Sequence, residues 1–150
     1  MSKYAMYFYT RCTDPAREAE YNSWYSHVHL PQLRQAKGVA SAKRYVSMDS
    51  NCKAKYLAVY EFETEDIQES LKSFYQIVRS CFETGKHIDC IESISTVNTP
   101  LVSCYKELPS EQIPRLPCGE YPKRVPDALK ELEVRNAHCD FEGHITSRCS

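Results

Sequence analysis

Glycine is scarce in this chain, with four residues in 150. A phosphate-cradling loop needs clustered glycines before a helix, and no such cluster occurs. Nucleotide cofactors are therefore not expected. Long apolar runs are also missing. No segment approaches the roughly 20 residues that a membrane helix requires. Neither charge sign dominates: 19 basic and 20 acidic residues leave a net charge of −1. No basic stripe stands out, since the densest stretch, Lys37 to Arg44, spreads three cations over eight residues. Nothing here directs the protein to nucleic acid or to an anionic membrane surface. The eight cysteines include no C-x-x-C pair, and their spacing is long and irregular. The opening Met1-Ser2-Lys3-Tyr4 lacks a charged segment followed by an apolar one, so no secretory leader is expected. The expectation is a cytoplasmic protein whose thiols stay reduced.

What is present is aromatic. Eleven tyrosines and a 42% hydrophobic composition promise a folded core. Residues 3–10 (KYAMYFYT) are nearly all apolar or aromatic and read as a strand buried on both faces. Asp14-Pro15 then opens a helix, with Asp as cap and Pro at the first helical position. Tyr21, Trp24, Tyr25 and Val28 form its apolar stripe, Pro31 should kink or interrupt it, and Gly38 should stop it. Residues 39–48 and 55–63 read as two strands joined by an Asp49-Ser50-Asn51 turn. Asp66, with Glu69 as capping partner, opens a second helix whose stripe is Ile67, Leu71, Phe74, Val78, Cys81 and Phe82. Gly85 ends it. Residues 93–105 read as a fourth strand, interrupted at Pro100.

The order β-α-β-β-α-β is the split βαβ pattern of an α+β, ferredoxin-like domain. It predicts a four-stranded antiparallel sheet with both helices on one face. Because the first strand is apolar on both faces, the other sheet face needs cover. A second copy of the chain would supply it, giving a homodimer. This domain spans residues 1–107. Beyond it, Pro109, Pro114, Pro117, Pro122 and Pro126 mark residues 108–150 as an extended proline-rich arm and tail. Cys118, His138, Cys139, His144 and Cys149 are candidate zinc ligands by type, but the H-C-x4-H-x4-C spacing of the last four matches no common finger, and no metal site is assigned.

Residues 20–33, EYNSWYSHVHLPQL, resemble the N-x-W-Y-x-x-x-H-x-P-x-L segment of the EthD-like branch of the dimeric α/β-barrel superfamily. Asn22, Trp24, Tyr25, His29, Pro31 and Leu33 carry the match. Residues 38–45 (GVASAKRY) resemble that branch's turn into strand two, except that Lys37 stands where proline is usual. The resemblance covers residues 3–105. It implies the dimeric α/β barrel, and it implies that His29 acts as general base or acid on an aromatic or polyketide-like substrate.

On this reading the protein is a cofactor-free enzyme performing lyase, dehydratase, isomerase or cyclase chemistry in a tyrosine-rich pocket. Imidazole suits proton transfer at neutral pH, and phenols can donate to a developing oxyanion. The candidate catalytic groups are His29, Tyr25 and Tyr7. Strand alternation allows either Tyr7 with Tyr9, or Met6 with Phe8, to face the pocket, and the former pair is favoured for its hydroxyls. Candidate substrate-binding residues are Tyr9, Asn22, Trp24, Arg44, Tyr45, Tyr60 and Phe74. Arg44 would hold a substrate carboxylate or form an ion pair at a dimer interface. Two other readings compete. One is a haem-binding or cofactor-free monooxygenase, with His29 or His87 as the axial ligand of a haem. The other is a non-catalytic module that binds a small ligand.

Overall fold

A computed structural model of the chain describes residues 1–94, 104–117, 119–127 and 129–131. The chain forms β1 (Ser2–Cys12), a 3₁₀ turn (Pro15–Arg17), α1 (Glu18–Trp24), a π-helical turn (Tyr25–His29) and α2 (Leu30–Leu33). It continues through β2 (Val39–Ser47), β3 (Tyr56–Thr64), α3 (Ile67–Glu83), β4 (Ile91–Ser93) and β5 (Tyr105–Glu107). The result is an α+β fold around a five-stranded sheet ordered β4-β1-β3-β2-β5, with every pairing antiparallel. This arrangement is broadly compatible with a ferredoxin-like domain. No helix among the described residues is long and apolar enough to cross a membrane.

The strand count departs from the expectation. Of the predicted fourth strand, residues 95–103 lie outside the described residues, and its two ends meet two short strands on opposite edges, β4 against β1 and β5 against β2. One continuous strand cannot serve both edges of an open sheet. Pro100 lies outside the described residues.

Local chemistry explains the element boundaries. Asp14 accepts a hydrogen bond from the Ala16 amide at 3.0 Å and opens the first helical segment. Asp66 accepts from the Glu69 amide at 3.0 Å and caps α3. The return half of the expected capping box is absent, because Glu69 pairs with Lys37 instead. Thr64 takes that role, its hydroxyl accepting from the Asp66 amide at 3.2 Å. Gly38 and Gly85, at φ +80° and +71°, reverse the chain after α2 and α3.

Both helical segments lie on one sheet face. Tyr4, Met6, Phe8 and Thr10 of β1 share that face with Tyr56, Ala58, Tyr60 and Phe62 of β3 and with Ala42 and Arg44 of β2. The opposite face carries Tyr7, Tyr9 and Tyr45. Tyr7 is 56% exposed, so β1 is not buried on both faces within this chain. Tyr9 packs edge-on against Tyr105 of β5, 6.1 Å between ring centres.

The described residues of the proline-rich arm fold back over their own chain, and residues 132–150 of the expected tail lie outside the described residues. The Ser110 hydroxyl donates to the Ser26 carbonyl at 3.4 Å, and His27 Nε2 donates to the Ile113 carbonyl at 2.6 Å. The Leu116 amide donates to the Ser23 hydroxyl at 2.7 Å, and the Tyr121 amide to the Gly85 carbonyl at 2.8 Å. His27 is half-buried because the arm covers it.

Candidate functional site

The site begins with the irregular turn before Pro31. Proline has no N–H, so it cannot continue an ordinary helical ladder. The chain answers with a π turn in which the Leu30 amide reaches back to the Tyr25 carbonyl. Such single wide turns recur where a helix must aim particular side chains. Here the turn carries both Tyr25 and His29, whose rings meet edge-on at 5.2 Å. The irregularity falls in the turn before Pro31, and the segment runs on through it to Leu33.

These rings wall a cavity of about 410 Å³ between the sheet, α3 and the arm. That volume lies within the range of small-molecule pockets. Its apolar wall includes Phe8, Leu33, Phe74, Val78, Phe82, Ile88 and Ile91. Tyr25, His29, Tyr60, His87 and Thr10 supply polar groups. Pro122, Arg124, Pro126 and Leu129 of the arm complete the enclosure, and the exposed side chains of Asp89, Glu92 and Arg124 lie at its edge. The cavity also explains why Val78 and Phe82, though on the apolar stripe of α3, are only half-buried.

His29 is buried, and its Nδ1 has no hydrogen-bond partner. Its ring stacks on the Trp24 indole at 4.5 Å and meets His87 edge-on at 5.1 Å. Burial, then the proximity of His87 and of the Arg44 cation, holds its pKa well below the usual imidazole range. His29 is therefore neutral at neutral pH. His87 is lowered to about 4, chiefly by burial. Its Nδ1 lies 2.9 Å from the Ile88 carbonyl, which can only accept, so Nδ1 carries the proton and Nε2 keeps a lone pair. Phe82 stacks on the His87 ring at 3.8 Å.

The Tyr25 and Tyr60 hydroxyls are 3.3 Å apart. Burial raises both phenols, so both keep their protons at neutral pH. One hydroxyl donates to the other, which leaves one phenolic proton for a ligand. Behind them lies Arg44, only 1% exposed. Its guanidinium donates to the Ser26 hydroxyl and the Asn22 side-chain oxygen, both at 2.9 Å. It also lies over the rings of Tyr25, Tyr56 and Tyr21 at 4.7, 5.0 and 5.5 Å. Asn22 in turn donates to the Tyr56 hydroxyl at 3.1 Å, and Tyr56 donates to Glu18 at 2.8 Å. This chain of polar contacts holds a cation beneath the phenol pair, and its field opposes the effect of burial on both phenols.

Four of the residues singled out from the sequence come together on the cavity wall: His29, Tyr25, Tyr60 and Phe74. Tyr7, Tyr9 and Tyr45 do not, because they stand on the opposite sheet face. Of the two alternatives for β1, it is Phe8 of the other pair that lines the cavity. Asn22, Trp24 and Arg44 also lie outside it. Trp24 is fully buried and donates its indole N–H to the Lys86 carbonyl at 2.9 Å. Asn22 and Arg44 bind each other instead of a carboxylate from outside. His87, named from sequence only as a haem ligand, is the main polar group not assigned to this pocket. Its one local signal was position, just past the helix stop at Gly85. Among the described residues no group of three or more His, Cys, Asp or Glu side chains is placed to hold a metal ion.

No protein-family model, no curated protein and no solved structure matches this chain.

Proposed function

We propose that the cavity takes a small, planar, aromatic or polyketide-like enolisable compound and that the protein moves a proton on it, as a lyase, dehydratase, isomerase or cyclase. The observation that carries this reading is neutral, buried His29 beside the Tyr25–Tyr60 phenol pair on one cavity wall. His29, being neutral, can accept a proton from carbon. The spare phenolic proton can meet the oxyanion that forms, and the Arg44 charge beneath favours that negative charge. The apolar wall selects a ligand with little charge.

In the same reading a second copy of the chain covers the exposed sheet face bearing Tyr7 and Tyr45. Its measure is the mass in solution, a dimer being expected.

The test uses 2-tetralone, an enolisable bicyclic ketone, in deuterated buffer. Wild type should accelerate exchange of the protons next to the carbonyl, followed by NMR. His29→Phe should bind the ketone and leave exchange at the solvent rate. Unchanged acceleration in that variant overturns the role of His29. Binding without exchange in wild type overturns catalysis and leaves a ligand-binding module.

A further inference from the structure

The two histidines on the cavity wall are not equivalent. His29 has a buried nitrogen with no partner. His87 has one nitrogen already committed, its Nδ1–H donating to the Ile88 carbonyl at 2.9 Å. That bond fixes the tautomer, and the remaining nitrogen, Nε2, is an acceptor only. The ring is clamped as well. Phe82 lies 3.8 Å away and within 13° of parallel, and Trp24 lies 4.7 Å away. A tautomer set by a backbone carbonyl and a ring held by two aromatics make a fixed hydrogen-bond acceptor that need not reorganise when a ligand arrives. The phenol pair offers the complementary group, one spare donor.

We infer that His87 is a substrate-binding residue that selects ligands carrying a hydroxyl donor, so that the cavity takes planar hydroxy-aromatic or enol compounds in preference to the same ring without a hydroxyl. The inference rests on the reading that the cavity binds a small aromatic compound, and it goes further by naming the group recognised and the residue that recognises it. The division of labour follows. His87 Nε2 accepts the ligand's O–H, the Tyr25–Tyr60 pair donates to a ligand oxygen, and His29 is left to handle the proton on carbon. The depressed pKa of His87 supports this, since a neutral imidazole keeps its Nε2 lone pair throughout the neutral range. The logic of discrimination is general. A site built to pair with a hydroxyl penalises the analogue that lacks it, because the buried partner is left unpaired.

The test compares 2-naphthol with naphthalene, two rings of the same shape that differ by one hydroxyl, on the full chain. Wild type should bind 2-naphthol at least tenfold more tightly. With ¹⁵N-labelled histidine, the free protein should show His87 as the Nδ1–H tautomer, and the Nε2 resonance should move when 2-naphthol is added. His87→Phe keeps an aromatic ring for Phe82 and Trp24 to pack on. It should lose the tenfold preference while still binding naphthalene. A preference that survives in His87→Phe, or a wild-type His87 Nε2 resonance that 2-naphthol does not move, overturns the inference and leaves the cavity reading standing. Failure of wild type to bind either compound overturns the cavity reading itself. The nitrogen resonances are read on wild type, so the result does not depend on the variant folding.

Discussion

The imidazole of His29 lies within 19° of parallel to the indole of Trp24, 4.5 Å between ring centres. The residue proposed to move the proton is thus also part of the core. Its removal has two separable consequences. His29→Ala should leave a void against Trp24 and cost about 2–4 kcal/mol in urea unfolding, by analogy with other large-to-small core changes. His29→Phe should preserve the stack and remove a buried nitrogen without a partner, leaving stability equal or higher. If the alanine variant were as stable as wild type, the stack would not be a packing contact.

Arg44 and Tyr25 make the second prediction. The guanidinium lies 4.7 Å from the ring centre and donates to Asn22 and Ser26. Lysine cannot reproduce a planar fork that bonds two acceptors while lying over aromatic rings. Arg44→Lys should therefore cost about 1–3 kcal/mol, roughly what stranded buried polar groups cost. Ultraviolet titration should also show the buried phenols ionising at higher pH in Arg44→Met, where the cation that opposes burial is gone.

Acid should destabilise the fold through its buried imidazoles. The His87 pKa is about 4 in the folded chain against 6.5 for the free side chain. Above pH 6.5 both states are neutral and nothing is lost. As pH falls from 6.5 toward 4 the unfolded chain takes up a proton that the native state refuses, so stability falls. One full proton corresponds to about 1.4 kcal/mol per pH unit, so His87 alone accounts for about 3 kcal/mol across that window. His29, also lowered, adds to the loss in the same direction. Urea midpoints measured between pH 7 and 4.5 should show the slope, and His87→Phe should flatten it.

Gly85 ties α3 to the arm. It sits at φ +71°, and a Cβ there would come within 2.8 Å of the Tyr121 carbonyl. Gly85→Ala should cost at least the roughly 1–2 kcal/mol of a left-handed non-glycine residue. It should also loosen residues 121–129 from the cavity. Faster proteolytic cleavage within the arm than in wild type would measure that loosening.

Much of the framework was legible locally. Asp14-Pro15, Asp66, Gly38 and Gly85 place the helix boundaries because caps and positive-φ stops act over a few residues. The stripes Tyr21-Trp24-Tyr25 and Ile67-Leu71-Phe74 identify the core faces for the same reason. Of the candidate residues, His29, Tyr25, Tyr60 and Phe74 line the cavity, three of them on such stripes or within the motif segment. The misses share one cause. On β1, where both faces are aromatic, alternation says that Tyr7 and Phe8 point oppositely but not which meets the helices. Arg44 was read as a ligand for a substrate carboxylate or as an ion-pair partner at a dimer interface, whereas Asn22 and Ser26, 22 and 18 positions earlier, bind it within the chain.

The sequence by itself determined the first three strands, the two helical segments between and after them, and the apolar stripes of those helices, since these follow from backbone preferences and side-chain period over a few residues. Tertiary structure alone decided which face of β1 meets α3, that residues 110–116 return along the first helical segment, and that His87 joins His29. Those outcomes depend on contacts between segments 30 to 100 residues apart, such as Trp24 with Lys86 and Tyr121 with Glu20. No local pattern encodes which distant partner a buried polar group will find.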